Sequence, residues 1–128
     1  MEEYSIEEVQ EMQKQARRAK RQAMTQAERI AMYYLVASRP QAVHIAYEVL
    51  TVIMGDQTYK PDFVVFLPGF RRQYIEVKES AADWQGYRYR EARVKLAYLR
   101  HLVEPFGHTV HLLTIENGRV KTEVEIMP

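Results

Sequence analysis

Apolar and polar residues recur along this chain with two periods, and the places where the period changes mark out its elements. In residues 5–24, Val9, Met12, Ala16, Ala19 and Ala23 step by three and four, which predicts a helix with a thin, alanine-rich seam. Ser5 and Glu8 have capping-box spacing. Glu7, Glu8 and Glu11 lie early and Lys14, Arg17, Arg18, Lys20 and Arg21 late, which complements the helix dipole. Residues 25–37 (TQAERIAMYYLVA) form a second, far more apolar helical stretch, and Pro40 stops it. From 42 to 54 (AVHIAYEVLTVIM) the period falls to two, predicting one long strand. Val43, Ile45, Tyr47, Val49, Thr51 and Ile53 would share one face; His44 and Glu48 lie on the other, where either could approach a metal although solvated or hydrogen-bonded strand positions are the preferred reading.

Gly55-Asp56 turns the chain into a pair of short apolar runs, 63–67 and 74–77, joined across Pro68-Gly69. Residues 87–104 then return to a helical period, with Val94, Leu96, Tyr98, Leu99, Leu102 and Val103 available for burial and Pro105 and Gly107 ending the run. Two strands, 108–115 and 119–126, close the chain around Asn117-Gly118, a hairpin dipeptide. The order is helix, three antiparallel strands, crossover helix, strand. It predicts an α/β (α+β) domain whose mixed sheet is flanked by helices, because a strand–helix–strand crossover favours parallel pairing within one sheet. Residues 25–128 make up that domain. Residues 1–24 read as a helical arm for dimerisation or packing.

Composition narrows the function classes. No apolar run approaches a membrane span and the chain opens on Glu2 and Glu3, so a cytoplasmic protein with no membrane partner is expected. The absence of cysteine excludes disulfides and thiolate metal sites. A net charge of +1 argues mildly against nucleic acid, but the bases cluster at 14–21, 71–72 and 88–100. In the last cluster Arg88, Arg90, Arg93 and Lys95 crowd the N-terminal half of a helix, where the dipole disfavours them and a bound phosphate would not.

The densest candidate chemistry lies in residues 59–79, YKPDFVVFLPGFRRQYIEVKE. A hairpin closed by a three-residue loop at 68–70 sets Leu67 opposite Arg71 and, continuing the register, Asp62 opposite Glu76. Facing residues have Cβ atoms about 4.5–5.5 Å apart. Lys78 shares the face of Glu76, about 7 Å along the strand. Two carboxylates held this close call for a cation between them, and hard oxygen ligands suit Mg²⁺ or Mn²⁺. The plainer reading is that Asp62 caps a turn while Glu76 and Lys78 form a weak, solvated pair.

Pro61-Asp62-Phe63 followed by Glu76-Val77-Lys78 resembles the signature of the PD-(D/E)XK nuclease superfamily, and in particular its small phage-type endonucleases and Holliday-junction resolvases. The likeness covers about residues 25–115. It implies a restriction-endonuclease-like αβββαβ core and hydrolysis of DNA phosphodiester bonds, in a bacterial or phage-infected cell. It also implies Mg²⁺, replaceable by Mn²⁺, with no organic cofactor. Asp62, Glu76 and a helical acid, Glu28, would hold the metal with the Val77 carbonyl, and Lys78 would be catalytic. Glu28 keeps a second reading, since Thr25 and Glu28 also have capping-box spacing. Arg88, Lys95, Arg93 and Lys60 are the expected DNA contacts, and a homodimer through the N-terminal helix would suit a two-cut enzyme. One departure is that Glu79 and Ser80 follow Lys78 where many relatives have glycine. Tyr59 reads as packing, and Trp84 as edge cover or a stacking residue. His108 and His111, three apart on a strand, fall on opposite faces. The rival function is a catalytically silent nucleic-acid-binding or assembly protein on the same fold.

Overall fold

The computed structural model describes residues 5–11, 24–79 and 87–127. Residues 6–11 are helical, and the Ser5 hydroxyl accepts from the Glu8 N–H at 3.1 Å. The rest of the expected N-terminal seam, and with it the dimer expectation, lies outside the described residues, as does Trp84.

Helix α1 (Gln26–Ser38) begins at the Thr25 cap and is followed by β1 (His44–Tyr47), β2 (Val52–Met54), β3 (Gln57–Tyr59), β4 (Phe63–Leu67) and β5 (Arg71–Glu79). Helix α2 (Tyr87–Val103) and a 3₁₀ turn (Glu104–Phe106) then lead into β6 (Thr109–Glu116) and β7 (Arg119–Glu125). Five strands form one mixed sheet in the order β1-β4-β5-β6-β7; β5 and β6 are parallel and the other pairs antiparallel. The fold is therefore the expected α/β (α+β) arrangement, a mixed sheet flanked by helices.

Alternation along the strands divides the interior into two layers. Phe63, Val65, Ile75, Val77, Leu113 and Ile115 pack under Ala27, Ala31 and Leu35 of α1. Val64, Tyr74, Val110 and Leu112 pack under Leu96, Leu99 and Val103 of α2. Among the described side chains of α2 only that strip is buried: Val94 and Tyr98, expected inside, are 69% and 44% exposed. The predicted hairpin register holds, with Leu67 paired to Arg71 and Phe63 to Ile75.

The long strand expected over 42–54 is broken. Glu48 takes a left-handed backbone, φ 48°, and its N–H bonds to the Asp62 carbonyl at 3.0 Å. The chain then leaves the sheet, and β2 and β3 form a separate two-stranded hairpin on the α2 layer, where Met54 is buried and Val52 and Tyr59 pack. Alternation continues through the break because both pieces are strands, but Val49 and Ile53, 44% and 74% exposed, share no buried face.

At the far end of α1, Arg39 is buried; it bonds Gln73 (2.7 Å) and Ser38 (2.7 Å) and pairs with Glu123 at 2.6 Å, tying the helix to β5 and β7. Phe63 is fully buried at the centre of the α1 layer. Phe63→Ala is expected to cost about 3–5 kcal/mol in urea unfolding. Val94→Ala, on the exposed side of α2, should stay within about 0.5 kcal/mol. Similar costs for the two would contradict the layering.

Candidate metal centre

Strands β1 and β4 stop level with one another while β5 runs on, leaving a notch at one corner of the sheet. The pairings of Tyr47 with Phe63 and Phe63 with Ile75 set Glu48, Asp62 and Glu76 in one row across three neighbouring strands. Pro61, fully buried and without an N–H, cannot extend β4. The Asp62 carboxylate instead accepts the Val77 N–H at 2.8 Å, supplying through its side chain the bond that the next residue of β4 would have made. In a strand the N–H and C=O of one residue leave the same edge, so the Val77 carbonyl also faces the notch.

Helix α1 brings the fourth acid. Carboxylate oxygens of Glu28, Glu48 and Asp62 lie within 4.8 Å of one another. Glu28 also completes its capping box, accepting the Thr25 N–H at 3.0 Å while its own N–H bonds the Thr25 hydroxyl at 3.2 Å. A carboxylate has two oxygens, so cap and ligand are compatible roles. Glu76 stands on the α2 side with its side chain 12% exposed; it accepts from the Tyr59 hydroxyl and pairs with Lys78 at 3.4 Å. Tyr59 is thus more than packing: it holds one of the acids.

Burial and mutual repulsion shape the electrostatics. The Asp62 carboxyl is pushed up to about 7 by burial and then by Glu76, against the opposing pull of the Val77 N–H. Glu76 is also raised by burial, although Tyr59 and Lys78 favour its charged form. The Tyr59 phenol is driven up by burial and by Glu76, and Tyr47 by burial and by Glu28 and Glu48. Both hydroxyls therefore stay protonated, and Tyr59 donates to Glu76.

The donor set fits a hard divalent cation. A metal–oxygen distance of about 2.1 Å places ligand oxygens up to about 4.2 Å apart, so the Glu28, Glu48 and Asp62 oxygens need only small side-chain movements. The acids line an open cleft of ≈ 380 Å³ that also takes in Lys78 and Glu79. Glu76 and Lys78 line a second cleft of ≈ 330 Å³ together with Tyr59, Glu91 and Lys95.

The expected residues Asp62, Glu76, Lys78 and Glu28 therefore come together, with Val77 between them. Glu48, read from the sequence as a strand position, joins them because its backbone turns out of β1. Lys95 borders the second cleft and pairs loosely with Glu91 at 3.7 Å. Lys60 and Arg93 are exposed, Lys60 two residues before Asp62; the Arg88 side chain lies outside the described residues. His111 pairs with Ile75 on the neighbouring strand, but its side chain faces Glu123 on the α1 side, on the opposite face of the sheet from Glu76. Among the described residues no helix is long and apolar enough to cross a membrane.

No protein-family model matches the chain, and no curated protein matches it. Among solved structures it is similar to one titled "Crystal structure of SSO0001", at 20% identity and a TM-score of 0.41, over 76% of this chain and 48% of that one. The chain thus spans about half the length of that structure, a likeness too slight to bear on fold or function.

The raised Asp62 pKa has a sign that can be measured. A carboxyl whose folded pKa lies above its unfolded value of 3.8 stabilises the fold at low pH, and that stability is lost as pH rises toward about 7. In chelator, Asp62→Asn keeps an acceptor for Val77 and removes the charge. It is expected to melt above wild type at about pH 8, by up to about 4 kcal/mol, with the gap narrowing at about pH 5. A variant less stable than wild type at both pH values would contradict the assignment.

Proposed function

We propose that this chain is a divalent-metal-dependent endonuclease of the PD-(D/E)XK type that hydrolyses DNA phosphodiester bonds. The observation that carries the reading is the row Glu48–Asp62–Glu76, joined by Glu28, with the Lys78 ammonium 3.4 Å from Glu76 at the mouth of an open cleft. A bound Mg²⁺ or Mn²⁺ would acidify a water and neutralise charge on a phosphodiester. Asp62, Glu28 and Glu48 would hold it, with Glu76 and the Val77 carbonyl available on the same edge.

The remaining residues position the strand and manage charge. Lys78, 40% exposed, can direct its ammonium at a phosphate oxygen and stabilise negative charge as it develops. Its pair with Glu76 keeps it at the boundary of the two clefts. Lys95, on the wall of the second cleft, is a compact cation for the neighbouring phosphate; its partly exposed pair with Glu91 is weak enough to be exchanged for one. Tyr59 fixes the Glu76 carboxylate from behind. A homodimer and a branched DNA substrate accompany the resemblance to junction resolvases and form part of the same proposal.

The test is cutting of plasmid and of synthetic four-way junctions in Mg²⁺, Mn²⁺ and chelator. Asp62→Ala and Glu76→Ala are expected to lose at least about 100-fold and Lys78→Ala about 100- to 1,000-fold. Glu28→Gln, which retains a capping-box acceptor, should fold normally yet cut poorly. Cutting that survives chelator, or is equal in Asp62→Ala, would overturn the metal mechanism.

A further inference from the structure

The end of the sheet away from the acids carries a second kind of surface, one that the nuclease residues leave unexplained. Phe70, at the tip of the β4–β5 hairpin, is 96% exposed and holds a left-handed backbone, φ 61°. Glycine or asparagine would sit there with less strain, so a large aromatic in that place is costly both to hydrate and to fold. On the neighbouring segments stand two ring pairs, linked through Arg72. His44 stacks on Phe66 at 6.1 Å, and Arg72 lies over the same Phe66 ring at 5.4 Å. The Arg72 backbone N–H donates to Nδ1 of His108 at 3.0 Å, and His108 in turn stacks on Phe106 at 6.2 Å with the planes 24° apart. Phe106 is itself 73% exposed.

The charge of this surface is as one-sided as its shape. Neither Arg71 nor Arg72 pairs with a carboxylate among the described residues, and the nearby Glu104 is engaged by Arg100 at 3.1 Å. Because Nδ1 of His108 accepts, its remaining ring proton is on Nε2, which makes it a donor. Cations without a carboxylate partner beside the exposed rings of Phe70 and Phe106 fit a ligand with anionic linkages and flat faces. Arg72 and Glu76 lie on one face of β5, four residues apart, which is about 13 Å.

We infer that the exposed rings of Phe70 and Phe106, with Arg72 and His108 beside them, form a platform for unpaired bases, so that the strand reaching the acid site is single-stranded over the nucleotides beside it. Bases inside a duplex are stacked on both faces and offer none to such a platform, whereas a splayed or flapped strand does. The inference deepens the nuclease reading and takes its ligand class from it.

The experiment is fluorescence anisotropy of the full chain in chelator, with a labelled oligo(dT) strand and, separately, a blunt duplex of equal length. Wild type is expected to prefer the single strand. The double variant Phe70→Ala/Phe106→Ala changes only exposed rings, so folding is preserved. It should weaken oligo(dT) binding roughly tenfold or more while leaving duplex binding within about twofold. Arg72→Gln should weaken it and also make the salt dependence shallower, by about 0.7 in the log–log slope for one phosphate. Wild type that prefers duplex or binds neither probe, or a double variant that binds oligo(dT) like wild type, would overturn the platform. Chelator separates the two readings. Binding lost in the double variant by a protein that never cuts would sink the nuclease and leave the platform; cutting by a protein whose double variant binds normally would do the reverse.

Discussion

The Asp62 carboxylate holds the Val77 N–H at the point where β4 has run out and β5 continues, and the rest of the site follows from that contact. It fixes an acid at the open edge of a strand, where water, a cation and a substrate can all reach it. Neighbouring strands then contribute acids at the same level, Glu48 from the end of β1 and Glu76 from β5. Burial, and after it the closeness of charges of one sign, opposes ionisation here, and the Asp62 and Glu76 carboxyls are raised accordingly. Hydrogen bonds from Tyr59 and the Lys78 ammonium offset part of it. The residual imbalance is what would favour a divalent cation in the proposed centre.

The frame that bears this strain is the pair of apolar layers. Leu35, Phe63, Ile75 and Leu113 on one side and Val64, Leu96, Leu99 and Val110 on the other are all almost entirely dry. They hold the sheet and both helices in fixed relation, so the ends of β1, β4 and α1 meet at one corner without a flexible loop to place them. Sites built on regular elements are held more closely than sites on loops. The β2–β3 excursion adds one more support by packing on the α2 layer and delivering Tyr59 to Glu76.

Much of this arrangement is legible in the amino-acid sequence, for reasons that differ by residue. The Asp62–Glu76 juxtaposition follows from a three-residue loop that leaves one register, and strand alternation adds Lys78 to the same face. The Thr25–Glu28 capping box is likewise a local pattern, and both of its hydrogen bonds form. Glu48 was hidden because its approach needs two non-local facts: which strand β1 pairs with, and that residue 48 turns left-handed. An uninterrupted alternation from 42 to 54 conceals both. Tyr59 reads as packing until the excursion carrying it is placed over α2. Val94 and Tyr98 mislead in the opposite sense, since helical spacing shows which residues could share a face and not how wide a strip the sheet can cover.

The most direct test of the central claim is calorimetric titration of the metal-free chain with Mn²⁺ near pH 7, in buffers of differing ionisation enthalpy. Binding at the acid row should release protons, because the Asp62 carboxyl, held near 7, must give up its proton to become a ligand. Glu48→Gln should weaken the binding, and Asp62→Asn should remove both the binding and the proton release. Saturable Mn²⁺ binding that is indifferent to both substitutions, or no binding at all, would contradict the account.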